Sequence, residues 1–238
     1  MKEKVAVVTG TSSGIGNSIA NKLLNGGWEV WGISRSKADN IIKNPKFYQI
    51  YFDLSNTPAI KEIITKLPKK IDLLINDAGL WELVLLKDVT PNHLDRTINL
   101  NLKAPVYLTS LLLPRLPSGS QVINISSIMG RYTEPEYGVY SASKAGIDRF
   151  TTTLAKERKD LKIIAISPGP TDTPANRNVL GGTEDYSKYI TPDQVADVVV
   201  QAVNGKFKSG DLIIVNNTNF WNAWDNRDRY KVINVDKN

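Results

Sequence analysis

Apolar residues cluster along this chain in two ways. Short unbroken runs such as Val5-Ala6-Val7-Val8 alternate with longer stretches in which apolar residues return every three or four positions. The first pattern is that of a strand buried on both faces of a parallel sheet, the second that of an amphipathic helix. Residues 5–8 therefore predict a first strand. Ile19, Ala20, Leu23 and Leu24 predict a helix, which Gly26-Gly27 stops. Further strands are predicted over residues 29–33, 47–52, 71–75, 122–125, 163–166 and 212–215. Further helices are predicted over residues 60–67, 91–113, from Tyr140 through Leu154, and over 192–203. Residues 174–190 show no clear period. Strands alternating with helices throughout predict one α/β domain over residues 1–238, a doubly wound parallel sheet with helices on both faces.

Composition narrows the function classes. The chain has 238 residues, 41% hydrophobic and 23% charged, as expected of a soluble globular domain with a sizeable core. Its net charge of +6 comes from scattered Lys and Arg, so no nucleic-acid-binding stripe is expected. The excess fits modest steering of an anionic cofactor. There is no cysteine and a single histidine, His93, which rules out disulfides and a thiol nucleophile and leaves no metal site of the usual composition. No apolar stretch approaches the length of a membrane span and nothing at the start resembles a signal peptide, so a cytoplasmic protein is expected.

The chemistry gathers at the predicted carboxyl ends of the strands. Gly10, Ser12, Ser13, Gly14, Ile15 and Gly16 form a glycine-rich turn between the first strand and a helix. Gly10 permits the tight turn, Gly14 lets backbone approach a diphosphate, and Gly16 allows close helix packing, while the helix N-terminus aims N–H groups at the anion. Gly10-Thr11-Ser12-Ser13-Gly14 also matches the nucleophile elbow of hydrolases. That mechanism needs a late histidine, and His93, read as a surface residue, does not supply it.

Ser34-Arg35 closes the second strand with no acid at either position. Arg35 is either a partner for the 2′-phosphate of NADP or a solvated side chain. Asp53, followed by Leu54, either accepts from an adenine amino group or caps a turn. Asn76, Ala78 and Gly79 end the fourth strand, and Pro168, Gly169, Thr171 and Thr173 follow the sixth. In open α/β sheets that edge is where ligands bind. Tyr140 and Lys144 stand four apart on one predicted helix face, where an ammonium beside a phenol is expected to draw its pKa toward neutrality for acid-base work. Ser127 is placed to hold a substrate oxygen against that phenol.

Taken together, these motifs resemble the short-chain dehydrogenases/reductases in their compact single-domain branch, over about residues 4–173. Thr9-Gly10-x-x-x-Gly14-Ile15-Gly16 is similar to the family's cofactor fingerprint, and Pro168-Gly169-x-x-x-Thr173 to the segment holding the nicotinamide end. Asn76-Asp77-Ala78-Gly79 is similar to its Asn-Asn-Ala-Gly motif, with Asp77 a departure. Asn101, Ser127, Tyr140 and Lys144 resemble its catalytic tetrad.

The resemblance implies a Rossmann-type sheet of seven strands in the order 3-2-1-4-5-6-7 and a homo-oligomer, a tetramer or dimer, with an outward apolar stripe on the Tyr140 helix. It also implies hydride transfer between NAD(P)(H) and a small carbonyl or alcohol. In that chemistry Ser127 orients the oxygen, Tyr140 exchanges the proton, and Lys144 depresses the Tyr140 pKa and binds the nicotinamide ribose. Asn101 holds a water linking Lys144 to solvent.

With Arg35, NADP(H) is the expected cofactor and NAD(H) the second choice. A sugar-nucleotide epimerase or dehydratase, and a non-catalytic dinucleotide sensor, are the competing readings. The first usually carries a longer segment after the sixth strand, and the second tends to lose the tyrosine. Substrate walls are expected from Trp81, Leu83, residues 134–137 and a lid over 174–190, with Val179, Leu180, Tyr186, Tyr189 and Ile190 as apolar lining. Pro105 is expected to kink the 91–113 helix, because it has no N–H for the carbonyl of Asn101. Trp221 and Trp224 mark a tail that departs from the family.

Overall fold

The computed structural model describes residues 3–37, 43–217 and 231–235. Its strands are β1 (Val5–Thr9), β2 (Glu29–Ser34), β3 (Phe47–Tyr51), β4 (Leu73–Asn76), β5 (Gln121–Ile125), β6 (Lys162–Pro168), β7 (Leu212–Asn216) and β8 (Lys231–Asn234). They make one sheet in the order β3-β2-β1-β4-β5-β6-β7-β8, with every neighbouring pair parallel. The helices are α1 (Gly14–Asn25), α2 (Ile60–Ile64), α3 (Pro91–Ile98), α4 (Ala104–Leu112), α5 (Gly138–Glu157), α6 (Pro174–Leu180) and α7 (Pro192–Val203). On one face, Ile19, Leu23 and Leu24 of α1 and Val195, Val198 and Val199 of α7 pack on β1, β4, β5 and β6. On the other, Ile60 and Ile63 of α2, Leu108 and Leu112 of α4 and Leu154 of α5 cover the same strands. Both faces are therefore dry, as the unbroken apolar runs require.

The sheet carries eight strands where seven were expected. β8 extends it beyond β7, pairing Ile213 with Lys231 and Asn216 with Asn234, and Lys231 reaches the Asp211 carboxylate. Its four residues hold only two apolar side chains, too few for a pattern to register. Trp221 and Trp224 of the tail lie outside the described residues.

Two further expectations change. The helix expected over 91–113 is split by a π-helical turn at Asn99–Lys103, which closes the Ala104 N–H onto the Asn99 carbonyl. The interruption falls where Pro105, which cannot donate, required one, but it takes the form of a widened turn rather than a sharp bend. Gly146 of α5 makes room for this turn, because a Cβ there would lie 2.9 Å from Leu102 Cδ1. The exposed positions of α5 are Gly138, Ala142, Arg149, Thr153, Lys156 and Glu157, so its fully exposed face carries no stripe of large apolar side chains. Phe150 packs instead into the core beneath.

A polar chain crosses the interior and fixes α5 to the sheet. Asn76 Nδ2 donates to Thr109 Oγ1 of α4 at 3.1 Å and to Asn124 Oδ1 of β5 at 2.8 Å. Asn124 Nδ2 in turn donates to Thr151 Oγ1 of α5 at 2.9 Å. Asn124, Thr109 and Thr151 are fully buried. Truncating the middle member strands both neighbours, and buried groups that lose a partner cost about 1–3 kcal/mol each. Asn124→Ala is expected to lower unfolding stability by roughly 2–4 kcal/mol with an unchanged m-value, read from urea denaturation followed by circular dichroism.

Candidate active site

The carboxyl ends of β1, β2, β4, β5 and β6 open into one cavity of about 710 Å³. Gly10, Ser12, Ser13, Gly14 and Ile15 line one part of it, with Ser34, Arg35, Asp53 and Leu54 beside them. Ala78, Gly79, Pro168, Gly169, Thr171 and Thr173 line the middle, and Ser127, Tyr140 and Lys144 the far part. The volume is in the range of cofactor and ligand sites.

The glycine turn has the shape of an anion cradle. Gly10 and Gly14 have φ of +80° and +57°, which side chains other than glycine rarely adopt. A Cβ on Gly16 would lie 2.5 Å from the Gly10 carbonyl, so only glycine lets α1 come down onto the turn. Ser13, at the N-cap of α1, makes no capping bond through its side chain, which leaves the Gly14 and Ile15 N–H groups to face a ligand, while that of Gly16 meets the Asp77 carboxyl. These residues fit the diphosphate of a dinucleotide.

At the other end, Tyr140 and Lys144 share a face of α5, with the Lys144 ammonium 5.8 Å from the Tyr140 ring centre. Lys144 Nζ donates to the Ile125 carbonyl at 3.0 Å, and Ser126 Oγ donates to the Lys144 carbonyl at 3.2 Å. Ser127 accepts the Met129 N–H at 3.1 Å and faces the Tyr140 hydroxyl closely enough to lower its pKa. Trp81 stacks on Tyr137 with ring centres 5.7 Å apart, and Tyr137 meets Tyr140 edge-on at 6.3 Å.

The charge states differ from the expectation. Burial pushes the Tyr140 phenol up to about 12, against the lowering effect of Ser127. Burial likewise brings Lys144 down to about 8, with the Asp77 and Asp148 carboxylates pulling the other way. Both shifts have one cause, since a desolvated group favours its neutral form.

Several residues placed by sequence in the site serve its frame instead. Asn76 belongs to the interior polar chain and does not line the cavity. Gly16 also lies off the wall and acts through helix packing. Asn101 is buried behind it, its Oδ1 accepting the Leu80 N–H and its Nδ2 donating to the Leu80 carbonyl, each at 2.7 Å. It also donates to Ser143 Oγ at 3.2 Å, so it holds the Leu80 segment against α5. Asp53 takes the Ser55 N–H and hydroxyl, which makes it a turn cap on the cavity wall. Thr173 caps α6 by accepting the Asn176 N–H. His93 is only partly exposed, its ring largely covered and 3.7 Å from Glu82. Of the expected substrate walls, Trp81, Glu134, Tyr137, Leu180 and Tyr189 line the cavity, whereas Leu83, Val179, Tyr186 and Ile190 do not.

One feature escaped the sequence, and one departure that it flagged, Asp77, has a role that it did not show. Asp148, one helical turn beyond Lys144, forms a buried ion pair with Arg131 at 3.1 Å, closing the loop that follows Ser127 onto α5. Its i+4 spacing from Lys144 was the available signal. The Asp77 carboxyl is tucked under the glycine turn, where Oδ2 lies 2.7 Å and 2.6 Å from the Cβ positions of Gly10 and Gly16. Desolvation raises it from 3.8 to about 7, offset in part by Lys144 and the Gly16 N–H. A carboxyl raised in the folded state stabilises fully below its unfolded pKa, and that contribution is lost as pH rises through about 7. Asp77→Asn is therefore expected to gain stability over the parent as pH rises from 4 to 8, by about 2 kcal/mol, in denaturant titrations of the cofactor-free protein. A gain that does not change with pH would show that the carboxyl is not desolvated.

The model of the short chain dehydrogenase family matches residues 4–183. An uncharacterized oxidoreductase of Staphylococcus saprophyticus is 32% identical over 220 residues, covering 85% of this chain and 92% of its own. A benzil reductase, (S)-benzoin forming, of Bacillus subtilis is 34% identical over 182 residues, covering 70% of this chain and 74% of its own. The crystal structure of a dehydrogenase/reductase from Sinorhizobium meliloti superposes with a TM-score of 0.82 at 26% identity, covering 91% of this chain and 94% of that one. The chain is a short-chain dehydrogenase/reductase, an NAD(P)-dependent oxidoreductase by family.

Proposed function

We propose that this single-domain protein reduces a carbonyl to an alcohol, with NADP(H) preferred over NAD(H). The observation that carries the reading is the convergence of Ser127 and Tyr140 on the wall of the cavity, with Lys144 beneath them. The glycine turn, Ser34 and Arg35 would hold the dinucleotide, and Pro168, Gly169, Thr171 and Thr173 its nicotinamide end. When bound, the dinucleotide supplies the hydride. Ser127 donates to the carbonyl oxygen and fixes it against the Tyr140 hydroxyl, and Tyr140 passes its proton to that oxygen as negative charge develops there. The ammonium of Lys144 then faces the phenolate so formed.

The proton inventory supports reduction. With its pKa near 12, Tyr140 carries its proton throughout the physiological range and is set to give it. The aromatic wall of Trp81 and Tyr137, together with the likeness to a benzil reductase, favours an aromatic or apolar ketone. The preference for NADP rests on Arg35, which stands on the cavity wall at the end of β2 with no acidic neighbour in sequence.

Tyr140→Phe removes only the phenolic hydroxyl. It is expected to lower kcat by about 10²–10⁴-fold while dinucleotide affinity stays within about two-fold, measured by NADPH absorbance and by calorimetry. Arg35→Ala is expected to cut the NADPH-to-NADH ratio of kcat/KM by about ten-fold, through loss of a charge-assisted contact to the 2′-phosphate. An unaltered ratio would mark Arg35 as a solvated side chain. Lys144 is cationic below about 8, so turnover in the reductive direction is expected to fall as pH rises through that value. A pH–rate profile flat from 7 to 9 would remove the Lys144 charge from the mechanism.

A further inference from the structure

The substrate end of the cavity has a charge opposite to that of the whole chain. The protein carries a net +6, yet Glu134 and Glu184 line the mouth beside the aromatic wall. They come from opposite sides, Glu134 from the loop before α5 and Glu184 from the segment after α6. Glu184 is held in place, since the hydroxyl of the buried Tyr189 donates to its Oε2 at 3.1 Å. Glu136 stands beside Glu134 at φ 71°, a backbone conformation costly for a residue with a side chain. The cations on this part of the wall are Arg96, which lies 3.2 Å from Glu82 and is committed to it, and Lys144, which sits beneath Tyr140 and donates to the Ile125 carbonyl. After burial, the charges of Glu134, Glu136 and Glu184 all push the Tyr137 phenol up, so all three reach the ring next to Tyr140.

The wall between these carboxylates also points to a ligand. Trp81, Tyr137 and Tyr140 form a continuous aromatic surface on the cavity. The Trp81 indole N–H is buried on it without an acceptor among the described residues, a donor that a bound molecule can satisfy. Aromatic faces next to carboxylates attract cations and disfavour anions.

We propose that the substrate is a ketone bearing an ammonium or other positive charge on an aromatic or apolar body, selected by Glu134 and Glu184 over neutral and anionic ketones of the same shape. This rests on the carbonyl-reductase reading and names its substrate class. It places anionic carbonyl compounds, such as keto acids and carrier-linked thioesters with their phosphates, among the poor substrates.

Three acetophenones of nearly equal shape test it: the 4-trimethylammonio, the neutral 4-tert-butyl and the 4-sulfonate compounds. With the NADPH-loaded enzyme, kcat/KM is expected to be about ten-fold higher for the cation than for the neutral ketone, and lowest for the sulfonate. In the Glu134→Gln/Glu184→Gln variant the cation-to-neutral ratio is expected to shrink to within two-fold of unity, and 0.5 M salt is expected to narrow it in the parent protein. A sulfonate reduced as well as the cation, or a cation preference that survives in the double variant, overturns the proposal. Calorimetric binding of phenyltrimethylammonium against benzenesulfonate supplies the same order without turnover. If none of the ketones is reduced, the carbonyl-reductase reading fails, while the binding order still decides this one.

Discussion

One ammonium group organises the site. Lys144 is enclosed on α5 at the carboxyl edge of the sheet, where its charge costs free energy unless partners meet it. The Ile125 carbonyl accepts one of its protons, and the Asp77 and Asp148 carboxylates supply opposite charge from the glycine-turn side and from the next helical turn. Each partner brings an element with it. Ile125 ends β5, Asp77 follows β4, and Asp148 engages Arg131 of the loop after Ser127. Satisfying Lys144 therefore fixes the distance from α5 to β4 and β5, and with it the approach of Tyr140 to Ser127. Breaking such a buried pair on one side leaves the other charge uncompensated, at a cost of about 3–5 kcal/mol.

The positions of β1 to β7 and the location of the cavity were legible from local patterns, whereas the order of those strands came only with the family resemblance. Unbroken apolar runs marked the strands, and residues at their carboxyl ends converge by topology alone. Legibility declined where tertiary context decides the role of a polar side chain. Asn76 and Asn101 stand in motifs that read as ligand-facing, yet each is spent on the frame, one in a chain to Thr109 and Asn124 and the other on the Leu80 backbone. Nothing in spacing distinguishes an amide that faces a cavity from one that clamps the loop behind it. β8 stayed hidden for another reason, because four residues with two apolar members carry no period.

The reversal at Tyr140 shows the limit of spacing as a guide to electrostatics. Four residues on a helix guarantee that phenol and ammonium share a face, and they do. Proximity would lower the phenol pKa if the medium were water-like. Here the same enclosure that brings them together removes water from both, and desolvation outweighs the effect of Ser127 on the phenol and of the Asp77 and Asp148 carboxylates on the ammonium. A phenol near 12 and an ammonium near 8 mean that the proton resides on Tyr140 while the charge of Lys144 is only loosely held.

Under the carbonyl-reductase reading proposed above, that distribution suits the reductive direction. A proton on Tyr140 is ready for an oxygen that gains negative charge, whereas taking a proton from an alcohol first requires a phenolate that the enclosure disfavours. Asp77 adds to the bias. Its carboxylate sits close enough to both groups to raise the Tyr140 pKa and to hold the Lys144 proton on. An amide at position 77 would do neither. The departure from Asn-Asn-Ala-Gly thus acts on proton placement as well as on packing. It joins the glycine turn at one end of the cavity to the acid-base pair at the other through a single buried charge.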